Sequence, residues 1–411
     1  MLEVAAFLHP GIGVWWGQGS AEPEPLVNAL LDCVEESGPV RAFCGLTWNE
    51  RLSGELPEGL TVLSYGGLGQ LRTLSRRGQL DVVPCHYSAI PRMFAQGQLP
   101  ADLGLLQVSP PDEDGMVTLG VGVEYVADAI PHTRTLLAEV NAQMPATAGG
   151  PKLHLSAFAA YIETDHPLAE APLRNPDHVD HRIAEHVATI VEDGDTIQIG
   201  VGSLPTAVLD SLSGHTDLGF HGGMITDGVL TLVEKGVLTG ARKEIDPGLI
   251  VTGAMLGSCH AYEKLHRFPV EFRPASYTHA PAVLSQLRCL VSINSAIEVD
   301  LLGQVGAELA RGVHIGAVGG QVDFSRAAAL TGARSIIALR STVKGRPTIV
   351  PALRSGVVTT SRVDVDTVVT EHGVAMLTGC TVAERALRLI EIAAPEHRED
   401  LERNLDEQEN S

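Results

Sequence analysis

Basic residues are scarce in this chain. Its 411 residues carry 29 Lys and Arg against 50 Asp and Glu, a net charge of −21 with histidine neutral. Binding to nucleic acid needs a clustered Lys/Arg footprint facing the phosphates; none is found, so that class of partner is excluded. Long apolar runs are missing too. Nothing nears the ~18 residues of a membrane span, the best being short runs such as LRCLVSI at 287–293. The first twenty residues lack a basic start and an unbroken apolar stretch, so no secretory signal and no membrane association are expected. The six cysteines stand singly with no CxxC pair, as reduced thiols of a cytoplasmic protein do, and no zinc or redox pair is expected. Glycine (43) and proline (24) are scattered without period, and 44% of the residues are hydrophobic, which excludes both collagen and a disordered chain.

What is present is the pattern of an α/β protein. Apolar runs of four to seven residues alternate with segments of helical period, the signature of βα units and mainly parallel sheets. The segment HRIAEHVATIVEDGD (181–195) places Ile183, Val187 and Ile190 on one helical stripe ending at Gly194, and TIQIG (196–200) reads as the buried strand after it. Pro205 suits the first turn of a following helix. Further strands are expected at 249–253, 289–294, 313–318 and 335–340. A closing helix is expected from about 382, capped by Thr381 and Glu384 and ending near Pro395, with the charged tail EDLERNLDEQEN fraying beyond it. The proline-bearing stretch AEAPLRNPDHVD (169–180) reads as a linker, dividing the chain into domains at 1–175 and 176–411. Both halves hold a glycine-rich strand-to-helix turn, GGLGQ (66–70) and GVGSL (200–204), which points to two related α/β units with a ligand cleft between them.

Two glycine loops in the second half are the strongest chemical signal. Gly200-Val-Gly-Ser-Leu-Pro205 and Gly316-Ala-Val-Gly-Gly-Gln-Val-Asp-Phe324 each follow a strand, where turns without side chains leave backbone N–H groups free for a phosphate or an oxyanion. The same loops also serve as plain tight turns. A dinucleotide site is disfavoured, because GVGSLPTAV carries proline where the third glycine of the fingerprint belongs. The cluster His178, His181, Glu185 and His186 looks metal-like, but on a helix His181 and His186 lie about 140° apart, so no metal site is expected.

The stretches LLQVSPPDEDGMVTLGVGVEY (105–125), IGVGSLPTAVLDSL (199–212), ITDGVLTLVEKGVLTG (225–240), INSAIEVDLLGQV (293–305) and VVTTSRVDVDTVVTEHGVA (357–375) resemble the acetyl-CoA hydrolase/transferase family, in the family's order over nearly the whole chain. The closest likeness is to its 4-hydroxybutyrate CoA-transferase branch. The resemblance implies a CoA-transferase fold of two open α/β domains, an active site in the cleft between them, a homodimer, and an acyl-CoA substrate. It also implies a glutamate that attacks the thioester and becomes a glutamyl-CoA thioester. By the same likeness, the backbone of Gly200, Val201, Gly202, Ser203 and Leu204 would hold coenzyme A or the oxyanion, Gly319, Gly320 and Gln321 would line its channel, and Lys344 would meet a CoA phosphate.

This chain departs from its relatives at the nucleophile. The family motif reads His-(Ser/Thr)-Glu-Met-Ile-Ser-Asp-Gly; here the stretch is His221-Gly-Gly-Met-Ile-Thr-Asp-Gly228, with Gly223 in the glutamate position. A second family motif, His-x-Ser-Glu-Ile-Pro, becomes His86-Tyr-Ser-Ala-Ile-Pro91. Glycine has no group with which to attack, so the covalent route cannot run at Gly223. Three outcomes stay open: a water-using hydrolase or ring-opening enzyme, an enzyme of another acyl-CoA reaction, or a silent acyl-CoA-binding protein or partner subunit. A true transferase with a displaced nucleophile is the further alternative. For a water-using reaction the candidate bases are His221, Asp227 and Glu22, each with an ordinary structural role as its alternative. Trp15 and Trp16 either shape an acyl pocket or pack in the core.

Overall fold

In the computed structural model described here, residues 3–172 and 174–409 are placed; Leu173, inside the stretch read as a linker, lies outside the described residues. Two sheets organise the chain. The first has seven strands, all parallel, in the spatial order 80–82, 60–64, 40–43, 12–16, 103–108, 135–141, 160–164. The second has eight, in the order 270–272, 250–252, 219–221, 196–199, 290–294, 334–338, 367–370, 373–376, of which only the last pairs antiparallel.

Parallel strands are covered on both faces, which is why they read as unbroken apolar runs; Leu103–Val108 is buried at every position. Each sheet reverses its strand order once. The reversal falls between 12–16 and 103–108 in the first sheet and between 196–199 and 290–294 in the second. Ligands of open α/β sheets bind in the crevice outside the carboxyl ends of the strands at such a switch point.

The sheets are stitched together by backbone hydrogen bonds. Gly67 N–H donates to Gly316 O (3.0 Å), Tyr87 N–H to Gly319 O (3.0 Å), Met255 N–H to Val121 O (2.9 Å) and Phe272 N–H to Ala148 O (2.8 Å). One apolar core runs through both, from Trp15 and Tyr125 to Phe220, Ile293 and Val369. No helix among the described residues is long and apolar enough to cross a membrane.

Several local expectations change. The strand expected at 313–318 shrinks to Val313–His314, paired only with 309–310, because the place beside 290–294 is taken by 334–338. The helix expected over 181–195 runs from His178 to Ala188, started by a capping box of Asp177 and Asp180; Gly194 is left-handed (φ 89°) in the turn after it. The capping box at Thr381 and Glu384 is present, but that helix stops at Glu391. A further helix, Pro395–Glu409, follows where a fraying tail was expected, anchored by buried Leu401 and half-buried Leu405. Its proline begins a helix, a position where the missing N–H costs nothing.

Candidate active site

The second switch point is open. Strand 196–199 runs into Gly200 and Gly202, and the helix Ser203–Ser211 begins immediately after, with Pro205 in its first turn. A Cβ built on Gly200 meets nothing within 4 Å, and Gly202 has φ +143°, a conformation closed to other residues. A cavity of about 280 Å³ opens there. It is lined by Gly200, Val201, Leu204, Pro205 and Val208 from this turn, by Ile293, Ser295 and Ala338 from neighbouring strand ends, and by Leu68 and Ala317. In the adjoining strands Gln198, Ser292 and Asn294 form a neutral polar cluster: Ser292 Oγ and Asn294 Nδ2 donate to Gln198 Oε1 (2.9 and 3.1 Å).

Gly223 follows strand 219–221, and its carbonyl accepts from Gly253 N (3.0 Å) and Ala254 N (2.9 Å). A Cβ at Gly223 would lie 2.8 Å from Cε1 and 3.0 Å from Nε2 of His279. The same imidazole closes Gly320, whose Cβ would lie 2.5 Å from His279 Nε2. The volume above both glycines therefore belongs to the His279 ring. That ring is 4% exposed, packed against Tyr87 (centroids 4.7 Å) and Phe324 (5.1 Å), and burial, with a smaller contribution from His221, pushes it down to about 3.

Tyr87 is held from behind by a buried acid. Its hydroxyl and the Gln18 amide both donate to Glu124 Oε2 at 2.5 Å, while Glu124 Oε1 has no partner. Burial pushes the Glu124 carboxyl up to about 7. Gln18 Oε1 in turn accepts from Tyr65 OH (2.8 Å) and Leu46 N (2.7 Å).

The residues singled out from sequence scatter in role. His221 is fully buried, its Nε2 bound to Thr278 O (3.1 Å), and burial, aided by the Lys243 charge, pushes it down to about 4; it braces the residue before His279. Asp227 begins the helix Asp227–Glu234 and accepts from Ser258 N (2.9 Å) and Ser258 Oγ (2.5 Å), tying that helix to the start of the next. Glu22 is buried away from the cavity, accepting from Thr47 Oγ1 (2.7 Å) and Trp16 Nε1 (3.1 Å), and burial pushes it up to about 8. Its surroundings are those of a core acid. Gly319 is left-handed (φ +53°) with open space at its Cβ, Gly320 begins the helix Gln321–Thr331, and the Gln321 amide donates to Thr360 Oγ1 (3.0 Å). Lys344 lies exposed in a hairpin turn between 342–343 and 346–347. Trp15 and Trp16 are both 0% exposed, Trp15 edge-on to Phe94 and Tyr125, so they are core and shape no acyl pocket.

Sequence reasoning missed His279, Thr278, Glu124 and Gln18. His279, Thr278 and Gln18 stand in no motif, Glu124 lies unremarked within the family-like stretch 105–125, and only packing between distant segments brings them together.

The acetyl-CoA hydrolase/transferase N-terminal domain matches residues 1–169 and the corresponding C-terminal domain matches 257–405. The chain belongs to the acetyl-CoA hydrolase/transferase family and is an enzyme of that family. The 4-hydroxybutyrate coenzyme A transferase of Clostridium kluyveri is 41% identical over 338 residues, 81% of this chain and 79% of the relative. Among solved structures, RipA from Yersinia pestis superposes with TM-score 0.92 at 32% identity, covering 99% of this chain and 96% of that one. A 4-hydroxybutyrate CoA-transferase from Porphyromonas gingivalis gives TM-score 0.80 at 34% identity, with 98% and 96% covered. These neighbours share the mixed α/β architecture with large, mainly parallel sheets.

Proposed function

We propose that this enzyme processes an acyl-CoA thioester without forming a glutamyl-CoA intermediate at position 223. Coenzyme A is its substrate carrier, held by the Gly200–Leu204 turn and by the backbone of Gly319 and Gly320. The observation that carries the reading is the His279 imidazole standing over Gly223, where a longer side chain would need to be. A glycine cannot attack, and the ring occupies the space from which a carboxylate would.

This favours a reaction that uses water, thioester hydrolysis first. Two of the similar proteins are named as 4-hydroxybutyrate CoA-transferases, so a carboxylate acceptor belongs in the assay. On the same reading the domains divide at 1–175 and 176–411 and the working form is a homodimer. The test is free-thiol release from a series of acyl-CoAs of increasing chain length, with and without acetate. The expected outcome is release in the absence of acceptor. Transfer that is strictly acceptor-dependent and passes through a CoA adduct would overturn the reading, and binding with no release from any thioester would make the chain a silent acyl-CoA-binding protein.

A further inference from the structure

Removing a nucleophile leaves a reaction in need of another group, and one side chain meets both glycines around the proposed thioester position. We infer that His279 is the catalytic base of this enzyme, its Nε2 accepting the proton of the water that attacks the thioester carbon. The inference rests on the acyl-CoA reading above.

Position comes first. Nε2 lies against the backbone of both glycines, 3.0 Å from where a Cβ at Gly223 would stand and 2.5 Å from one at Gly320. The tautomer follows from the neighbours. Thr278 Oγ1 donates to Pro274 O (3.3 Å), which leaves its oxygen to accept Nδ1–H of His279 (2.9 Å). With Nδ1 protonated, the lone pair sits on Nε2, an assignment drawn from the hydrogen-bond network. Orientation is fixed by the flanking groups. Tyr87 is pinned to Glu124 and lies against one side of the ring, Phe324 meets it edge-on, and His221 holds Thr278 O.

Burial keeps the ring neutral, so the lone pair is free throughout the physiological range. The protonated ring is stabilised only while negative charge stands beside it, and the developing oxyanion and thiolate supply that charge in a dry site. In the step itself, the water oxygen bonds the acyl carbon while Nε2 takes its proton. The C–S bond then breaks, and the departing CoA sulfur takes the proton from Nε2. Acyl-CoA and water become a carboxylic acid and free CoA, with nothing oxidised or reduced. The ring is 4% exposed, and the Gly320 backbone against it belongs to a segment joined to Tyr87 and Ser88 by Tyr87 N–H to Gly319 O (3.0 Å) and Ser88 Oγ to Asp323 Oδ1 (2.6 Å).

The test is His279→Ala in the full chain, assayed for thiol release from the best acyl-CoA substrate. Loss of a positioned base predicts a fall of about 100-fold or more in kcat, with CoA affinity kept and with activity returning in proportion to added imidazole, which fits the hole left by the ring. A variant that binds CoA and turns over at the wild-type rate overturns the inference, as does one that loses activity but is not rescued. Thr278→Val guards against a folding artefact: it keeps the ring but removes its Nδ1 partner, predicting a fall of about tenfold in kcat with KM unchanged, and an unchanged kcat contradicts the tautomer. Wild-type enzyme that releases no thiol from any substrate locates the failure in the acyl-CoA reading itself.

Discussion

The two switch points are built alike and used oppositely. In the first sheet the crevice beyond strands 12–16 and 103–108 is filled by protein: Tyr125 OH donates to Trp16 O (2.6 Å), Gln107 Nε2 to Glu22 O (2.8 Å), and Glu22 and Glu124 lie buried nearby. In the second sheet the equivalent crevice holds an open cavity lined in part by Gly200, Val201, Leu204 and Pro205. The glycine turns follow the same division. Cβ atoms at Gly66 and Gly67 would lie 2.4 Å from Ala317 Cβ and 2.0 Å from His314 O, whereas Gly200 faces open space. One set of glycines lets two backbones touch, and the other leaves room for a ligand. A glycine-rich turn is thus a statement about close approach, and only the surrounding fold says what approaches.

That contrast predicts its own tests. The largest effect belongs to Gly67→Ala, which drives a methyl into the His314 carbonyl; overpacking against backbone should cost about 3 kcal/mol or abolish soluble protein, read by chemical denaturation. A fall below about 1 kcal/mol would mean that the joint between the halves is soft.

The buried acids give the next effect. Glu22 has a folded-state pKa near 8, above its usual 4.5, so the folded protein binds more protons than the unfolded chain across that interval. The stability contributed by this raised pKa is full at acid pH and is lost as pH rises from about 4.5 to about 8. Glu22→Gln, which keeps acceptors for Thr47 and Trp16, should therefore raise stability at pH 8.5 by on the order of 2 kcal/mol and by much less at pH 5.5. Equal effects at both values would show that the carboxyl is not held neutral.

The smallest effect on the fold is Gly200→Ala, with stability changed by less than about 0.5 kcal/mol. Its affinity for CoA should fall about tenfold, roughly 1.4 kcal/mol, measured by calorimetry. Unchanged affinity would remove this turn from the proposed cradle.

Much of the architecture was legible because physics imprints it locally. Buried parallel strands such as 196–199, 290–294 and 334–338 show as apolar runs, and the Thr381 capping box announces its helix. The segment at 313–318 carried an equally apolar run but found no vacant sheet edge, so composition alone misplaced it. Of the site, the glycine turn at 200–204 was legible and the group above Gly223 was not. His279 sits in Tyr-Thr-His-Ala-Pro, a string without period or spacing, and gains its place only where segments around 223, 278 and 320 converge. Glu22, a candidate base by its sequence, is buried between Thr47 and Trp16, a setting that its neighbours Ala21 and Pro23 do not announce.

The central claim is that a CoA cradle persists here without a covalent side chain. Intact-protein mass spectrometry of the wild-type enzyme, quenched during turnover of an acyl-CoA and repeated after borohydride and hydroxylamine treatment, tests it most directly. The account predicts a chain of unmodified mass at every time point; a CoA-sized adduct that maps to any glutamate, Glu124 included, would contradict it.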